Sequence, residues 1–323
     1  MDPLKSIEKP LQQNFGVDGR PGGRPFLGGH KGSAAITSLL ALIVIGALGF
    51  YWYSRKEQRR HLFERESSAL VRSILERIGN YEDGLWAGVA FIHARGNKLG
   101  SDDWKKFATA QDLLAKYPGI NGVSVVFSVR KREIGKFVAE QRVTRPDFNI
   151  HPEHLINEYL PIVFIVPLAG NEKAVGMDLA FEEKRLASAV QARSTGRAQI
   201  TAPIALVQDM GKTPGFLFYA PYYDAGGEDV KLWTNEKRQE NFLGMISMPI
   251  VMNKFIRGIR TEGRSRYVSL KIYDGDDLLY DEQNANNINF DPTPLFSQKV
   301  EVMVTGRKWT IDLRSTKAVR GEK

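Results

Sequence analysis

The chain has 323 residues, of which 42% are hydrophobic and 25% are charged, and its formal net charge is +8. This composition is typical of folded protein and allows one large or two small domains. The absence of cysteine excludes a disulfide framework, thiolate zinc clusters and a cysteine nucleophile. Part of the positive charge lies in the N-terminal segment and beside one apolar run. The charge therefore favours a membrane partner, and we expect no nucleic-acid partner.

Residues 1–33 are rich in glycine, proline and arginine and contain few apolar side chains. Such a segment cannot bury enough surface to offset the entropy that is lost on ordering. We therefore predict a disordered basic tail over residues 1–33.

Residues 34–53 are twenty consecutive residues without a charge. As a helix, this run is about 30 Å long, which matches the hydrocarbon core of a bilayer. It ends in the aromatic group 50–53, and such rings prefer the lipid–water interface. A cleaved signal peptide fits poorly, because the run is long and lies thirty-three residues from the N-terminus. The run predicts a retained transmembrane helix, with the lipid bilayer as its partner.

The basic residues around this run bear on its orientation. Three precede it and six follow it within about twenty residues: Arg20, Arg24 and Lys31, then Arg55, Lys56, Arg59, Arg60, Arg65 and Arg72. The positive-inside tendency alone would place the large C-terminal part in the cytoplasm, although that tendency weakens when a long folded domain follows.

Residues 54–97 are predicted to form a stalk helix. Apolar residues recur at 3-4 spacing, which makes one apolar stripe: Val71, Ile74, Ile78, Tyr81 and Leu85. The stripe fits a stalk that packs on its own domain, and it fits equally a stalk that pairs with a second copy in a homodimer. The sequence leaves both alternatives open.

Beyond the stalk, helices and strands are mixed, and several strands are joined by tight turns. Helices are predicted at 101–117, 132–142, 182–195 and 250–260, and strands at 120–130, 159–168, 174–180, 215–224, 242–249, 268–282 and 299–313, the last two as hairpins. This pattern predicts an α+β fold with helices on one side of the sheets. The polar stretch 224–241 divides two sheet modules, 98–226 and 227–315, and 316–323 is predicted as a tail.

The sequence offers no convincing motif for catalysis or metal binding. The stretch 209–215 contains Gly-Lys-Thr, but Leu206 stands where a phosphate-binding loop requires glycine. No nucleophile elbow and no His-Glu-x-x-His motif occur in the sequence. His151 and His154 are separated by Pro152 and lack a nearby third ligand, so we expect no metal. We therefore predict a protein that is not an enzyme and has no cofactor.

Several residues of the first module are singled out for structural or pocket roles. Asp178 lies at a strand end before a helix, where its carboxylate can meet free backbone N–H groups. Arg185 lies one turn into that helix, and a pair with Asp178 is expected to hold the scaffold. Thr201 is a small hydroxyl residue at a strand end, suited to closing a turn or to hydrogen bonding in a pocket. The strand aromatics Phe164, Phe216, Phe218 and Tyr219 are mostly core candidates, and some are placed to line a cavity.

Taken in order, segments spread over residues 75–315 resemble the CHASE domain, an extracellular sensor module of many histidine kinases and nucleotide cyclases. The segments include YPGINGVSVVFSV, EYLPIVFIVPLAGNEKAVGMDLA, RLASAVQARSTGRAQITAP, GFLFYAPYY and GMISMPIVMNKFIRGI. The resemblance implies a long stalk helix, two PAS-like α+β modules, and a ligand in the membrane-distal module. It also implies a location outside the cytoplasmic membrane, against the charge count, and we follow the resemblance.

Residues 192–203, ARSTGRAQITAP, are similar to the matching stretch of plant cytokinin receptors, which belong to the same family. The resemblance implies that Thr201 is a pocket residue. Pro167 stands where those receptors place the acidic residue that binds the hormone. Recognition of an adenine-type cytokinin is therefore not expected here.

These observations together predict a single-pass protein of the cytoplasmic (inner) membrane with an extracytoplasmic sensor domain. The expected ligand-binding residues for a small molecule are Phe164, Val166, Thr201, Phe218 and Tyr219, with Asp178 and Arg185 as structural residues. No second apolar run follows Trp309, so we expect no output enzyme in the chain, and a separate kinase or cyclase is an expected partner. The alternative is a structural or adaptor membrane protein whose PAS-like modules bind another protein.

Overall fold

The computed structural model describes residues 29–206, 214–261, 266–283 and 287–321. The chain divides into two compact units, Met1–Glu57 and Gln58–Lys323, and each unit is described by itself. Residues 29–33 of the predicted basic tail and Lys317–Arg320 of the predicted C-terminal tail are helical in this structure. The prediction of a tail over 316–323 is therefore wrong in part, because the side chain of Val319 is buried. The rest of the basic tail and most of the stretch 209–215 lie outside the described residues.

The described part of the chain contains eight α-helices and twelve strands. The helices are α1 (Gly29–Ala94), α2 (Ser101–Ala110), α3 (Leu113–Lys116), α4 (Ile134–Arg142), α5 (Glu183–Thr195), α6 (Asn235–Glu240), α7 (Met252–Thr261) and α8 (Lys317–Arg320). The strands are β1 (Val123–Phe127), β2 (Val129–Arg130), β3 (Glu158–Tyr159), β4 (Ile162–Val166), β5 (Gln199–Ile200), β6 (Ile204–Ala205), β7 (Pro214–Tyr223), β8 (Phe242–Val251), β9 (Val268–Asp274), β10 (Asp277–Asp281), β11 (Ser297–Val304) and β12 (Arg307–Ser315).

In the first unit, α1 contains the predicted transmembrane segment. By length and composition, this helix is able to cross a membrane. Its large apolar side chains between Ile36 and Tyr53 are exposed, as contact with lipid requires. The first unit therefore has the features of a membrane anchor.

In the second unit, the predicted apolar stripe of α1 packs on its own domain. Ile74, Ile78, Tyr81 and Leu85 are buried in the core, and Val71 is partly buried against it. The stripe thus fulfils the first of the two alternatives that the sequence left open. A homodimer through the stalk would need another face of α1, and it stays a prediction.

Two antiparallel sheets and the helices around them form the second unit. The first sheet has the strand order β4-β1-β8-β7-β5, and β6 also pairs with β7. The second sheet has the order β10-β9-β12-β11, and β2 and β3 form a separate pair. This arrangement is the predicted α+β architecture with two PAS-like modules.

Strand alternation in β7 sends side chains to two hydrophobic clusters. Phe216 and Phe218 belong to the first cluster, which also contains α1, α2 and the second sheet. Leu217 and Tyr219 belong to the second cluster, which contains residues of α5 and of the segment before it. Because successive side chains of a strand point to opposite faces, the two clusters cover opposite faces of the first sheet. Helices therefore pack on both faces of this sheet, α1 and α2 on one and α5 on the other. The prediction of helices on one side is wrong for the first sheet, because β7 and β8 are buried on both faces.

The structure differs from the sequence-based expectation in the position of β8. The sequence predicts that the stretch 224–241 divides the modules, yet β8 follows it and pairs with β7 along nearly its whole length. The two sheets meet at α7, which follows β8 without a loop. The polar stretch misled the prediction because β7 and β8, the strands on either side of it, are both apolar and pair with each other. The stretch is therefore a connection within the first sheet and not a boundary between modules.

Residues 174–180 also differ, since they form no strand. The segment contains short 3₁₀ turns at Glu172–Ala174 and Leu179–Phe181 and makes isolated bridges to His151 and Pro161. Gly176 lies between these turns at φ +80, a backbone conformation that only glycine adopts readily. The turn at Gly176 brings this segment against the loop at Asn149.

Replacing Gly176 with alanine is expected to lower the free energy of unfolding by about 2–4 kcal/mol, because left-handed strain and a steric clash add together. A Cβ atom there would lie 1.8 Å from the Asn149 carbonyl oxygen. Gly275 provides the matched control, since its φ is +60 and a Cβ atom at that position would have no neighbour within 4 Å. Gly275→Ala should cost only about 1 kcal/mol. Equal losses in urea titrations of the two variants would contradict the close contact at Gly176.

Candidate functional site

An enclosed cavity lies beneath the first sheet on the face of the second cluster. Its volume is about 10 Å³, which is room for about one water molecule. The lining residues are Ser124, Ile162, Ile165, Met177, Leu179, Arg185, Leu206, Leu217, Ser247 and Pro249. The lining is therefore mainly apolar and includes a few polar groups. In this structure the lining side chains pack closely and leave little free volume.

The polar groups of the enclosed cavity come from β1, β8 and α5. Arg185 is 6% exposed; its Nε lies 2.5 Å from Glu182 Oε2, and its Nη2 donates to the Ala205 carbonyl at 3.3 Å. Ser124 Oγ donates to the Ser247 carbonyl at 3.2 Å. The hydroxyl of Ser247 is buried and has no hydrogen-bond partner among the described residues.

Tyr219 lies next to this group of side chains without lining the cavity. Its hydroxyl is buried and also lacks a partner in the part of the chain that the structure describes. Burial raises the pKa of Tyr219 far above its ordinary value, and the nearby charge of Arg185 offsets only part of this increase. The phenol is therefore neutral at physiological pH and keeps its O–H as a hydrogen-bond donor.

Asp178 organises the segment that covers the cavity. Its Oδ1 accepts hydrogen bonds from the backbone N–H groups of Leu160 at 2.7 Å and Ala180 at 2.9 Å. Its Oδ2 accepts a short hydrogen bond from His154 Nε2. The expected pair between Asp178 and Arg185 does not form, because Arg185 points back to Glu182. Each residue stabilises the scaffold through a separate set of partners.

The two candidate metal-binding histidines are already engaged. His154 Nε2 contacts Asp178, and its Nδ1 accepts from the Ile156 backbone N–H at 3.1 Å. His151 Nε2 lies 3.2 Å from the Val175 carbonyl oxygen. Among the described residues, no group of three metal-ligating side chains occurs.

A larger open groove lies in the same module, and we call it the Arg145 groove. It has a volume of about 1090 Å³ and is lined by α2, by residues from the 145–151 loop, by β4 and by the loop after β4. Its buried floor includes Trp104, Phe148, Val163 and Phe164. Arg145 is the half-buried cation of this groove. Of the residues that line the two cavities, Ile165 alone is shared.

Of the five residues predicted to bind ligand, two line a cavity in the structure and three do not. Phe164 and Val166 line the Arg145 groove, together with Pro167. Thr201, Phe218 and Tyr219 line neither cavity. The Thr201 hydroxyl accepts from the Leu217 backbone N–H at 3.0 Å, so it caps the end of the β5–β7 pairing.

Sequence reasoning missed Ser247, Met177 and Arg145. Ser247 had a detectable signal, since it is a polar residue within the apolar strand FLGMISMPIV. Met177 follows Gly176, and no local sequence pattern predicts the turn that this glycine forms. Arg145 lies in a loop, where a single arginine carries no pattern in the sequence.

An α+β module with cavities against a central antiparallel sheet, next to a long N-terminal helix, is the architecture of PAS-like sensor domains. The chain belongs to the CHASE domain family, whose sequence profile matches residues 97–287. This match confirms the resemblance stated from the sequence. Among curated proteins, none matches the chain significantly by sequence.

Three solved structures are similar to the chain at 10–13% sequence identity. An extracellular ligand binding receptor from Desulfohalobium retbaense matches with a TM-score of 0.51 at 13% identity, over 78% of this chain and 40% of that chain. This chain thus spans less than half of that receptor. The periplasmic sensory domain of the Campylobacter jejuni chemoreceptor Tlp1 matches with a TM-score of 0.45 at 10% identity, over 80% of this chain and 94% of that one. The ligand-binding domain of the Pseudomonas aeruginosa amino acid chemoreceptor PctC, solved in complex with GABA, matches with a TM-score of 0.40 at 12% identity, over 79% and 99% of the two chains.

A CHASE domain and an N-terminal helix able to span a bilayer fit a membrane protein with an extracytoplasmic sensor domain. The family match thereby agrees with the location that the resemblance implied, against the positive-inside count.

Proposed function

We propose that the protein is a sensor of the cytoplasmic membrane that binds a small ligand in the enclosed cavity of its first module. The observation that carries this proposal is the buried hydroxyl of Ser247, which lies in the cavity wall without a partner among the described residues. Buried polar atoms in native proteins nearly always have a partner. A ligand with a polar group would supply that partner.

The neighbouring groups support a ligand that is small and polar. Arg185 provides a buried guanidinium, and the Tyr219 hydroxyl is an additional buried donor close to it. The cavity of about 10 Å³ admits such a ligand only if apolar wall residues such as Met177 and Leu206 move. A ligand that stabilises the opened arrangement would shift the population of the module, which is the requirement for signalling.

A thermal-shift screen of the full-length protein in detergent tests the proposal with nucleobases, amino acids and short organic acids as probes. A bound probe should raise the unfolding temperature, and the rise should grow with the logarithm of the probe concentration once that concentration exceeds the dissociation constant. Ser247→Ala should leave the ligand-free unfolding temperature unchanged or slightly higher, because it removes an unpaired hydroxyl, and it should reduce the shift caused by the probe. Ser269→Ala, a buried serine of the second sheet, is the matched control and should keep the full shift.

An adaptor that binds only another protein would show no probe-dependent shift, and this outcome would overturn the proposal.

A reporter fused to the C-terminus tests the location, because alkaline phosphatase is active only outside the cytoplasm. The separate kinase or cyclase and the stalk homodimer stay predictions.

A further inference from the structure

The Arg145 groove carries a cation that has no counter-ion among the described residues. Arg145 Nη2 donates to Gln141 Oε1 at 2.5 Å, and its Nη1 donates to the Val163 carbonyl oxygen. Neither partner is a carboxylate. Arg185 and Arg193 of the same module, in contrast, pair with Glu182 and Glu158. A partly buried charge is costly unless it is paired, so the groove favours a ligand that brings an anion.

Two aromatic rings hold the guanidinium in place. Its Cζ lies 4.8 Å from the ring centroid of Phe148 and 5.2 Å from that of Phe164. Burial lowers the pKa of Arg145 from its ordinary value of 12.5. Arginine side chains nevertheless stay protonated in proteins, so the groove keeps its positive charge. The rings fix the planar fork, so a carboxylate would meet donors whose orientation is already set.

The other charged side chains of the groove lie on its rim. Asp102, Lys105, Asp147, His151 and Glu172 are all exposed. Exposed charges are screened by salt and contribute little to binding. Arg145 therefore dominates the electrostatics of the interior, although the rim carboxylates oppose an anion at low ionic strength.

Next to Arg145, the groove is apolar. Phe164 is buried in the floor, Val166 is partly buried, and Leu168 is 56% exposed at the edge. A volume of about 1090 Å³ is slightly above the range that is usual for small-molecule sites, so a small ligand would fill only part of the groove. Such a surface gains free energy when an apolar group covers it.

We propose that the Arg145 groove is a second ligand site, which takes an amphipathic carboxylic acid with its carboxylate on Arg145 and its apolar chain or ring along Phe164, Val166 and Leu168. This site is separate from the enclosed cavity, and the proposal does not depend on the cavity being occupied.

Isothermal titration calorimetry of the full-length protein in nanodiscs, at about 150 mM salt, tests the proposal with 3-phenylpropionate as probe. The uncharged 3-phenylpropanamide has nearly the same shape and is the matched control ligand. We expect the acid to bind at least about tenfold more tightly than the amide, since a tenfold change corresponds to about 1.4 kcal/mol and a carboxylate–arginine pair supplies at least that much. Absence of acid binding, or equal affinities, would overturn the proposal.

Variants separate this site from the rest of the molecule. Arg145→Gln should abolish the preference for the acid over the amide. Val166→Trp should prevent binding of both ligands, because the larger ring would obstruct the apolar surface next to Arg145 that they are proposed to cover. Lys105→Gln removes an exposed rim charge and should change the affinity less than about threefold. Ser247→Ala alters the enclosed cavity and should leave phenylpropionate binding unchanged. An unfolding temperature within a few degrees of the parent shows that each variant is folded, and preserved discrimination in a folded Arg145→Gln or preserved binding in a folded Val166→Trp would refute the site.

Discussion

Replacing Trp309 with alanine is expected to lower the free energy of unfolding by about 3–5 kcal/mol, as is usual for a large buried aromatic side chain. Trp309 is fully buried in β12 of the second sheet. Its ring lies 5.6 Å from that of Phe216 in β7 of the first sheet, at 73°. Alanine would leave a cavity where the two sheets meet. Urea titration of the full-length protein, monitored by far-UV circular dichroism, measures the loss.

Two further variants locate the source of that loss. Trp309→Phe retains an aromatic ring and removes an indole N–H that has no partner among the described residues, so it should cost clearly less than alanine. Phe216→Ala combined with Trp309→Ala should show a coupling of about 0.5–1.5 kcal/mol, because the two rings interact edge to face. Additive losses would mean that Trp309 stabilises only its own sheet.

Replacing Asp178 with alanine is the second large effect, and we expect a loss of about 3–5 kcal/mol, because the change removes a buried carboxylate and leaves three buried donors without their acceptor. These donors are the N–H groups of Leu160 and Ala180 and His154 Nε2. Asp229 is the matched control, since it caps a 3₁₀ turn in the same way, with a bond from the Lys231 backbone N–H at 2.9 Å, but is exposed. Asp229→Ala should cost about 1 kcal/mol or less. Similar losses at the two positions, measured by urea titration, would show that burial of Asp178 is unimportant.

Asp178→Asn isolates the contribution of His154. The amide oxygen can replace Oδ1 and keep both backbone bonds, while the amide NH₂ group would face the Nε2–H of His154. His154 cannot change tautomer freely, because its Nδ1 already accepts from the Ile156 N–H. We therefore expect Asp178→Asn to cost about 1–3 kcal/mol, which is less than the alanine variant. If Asp178→Asn lowered the free energy of unfolding as much as Asp178→Ala does, the stabilisation by Asp178 would come entirely from its contact with His154.

Much of the fold follows from local sequence signals. Long periodic segments such as α1 and α5 were predictable, and the αL glycine Gly196 ends α5 as expected, at φ +67. The hairpin turn at Gly306 was also predictable, at φ +87. The pairing of β8 with β7 was not, because strand partners depend on topology and not on composition. The helix predicted over 101–117 is interrupted at Asp112, whose φ is +49. This break was not predictable, because the segment contains no proline or glycine that would indicate it.

The candidate sites were less predictable than the fold. The family resemblance directed attention to strands β4, β5 and β7, and Phe164 and Val166 do line a groove. Thr201, Phe218 and Tyr219 lie outside both cavity linings, because the face that each strand residue occupies depends on register. Residues of different strands and loops, such as Arg185 and Ser247, meet only after folding, so sequence spacing alone cannot bring them together.

The junction between β8 and α7 has a mechanical consequence. Val251 ends the strand and Met252 begins the helix, and Phe255, Ile256 and Ile259 of that helix are fully buried in the core shared by both sheets. Because no loop separates β8 from α7 and this helix is buried, bending one module relative to the other would break packing contacts. We therefore expect any ligand-driven displacement of the first sheet to move the second sheet with it, as one rigid body.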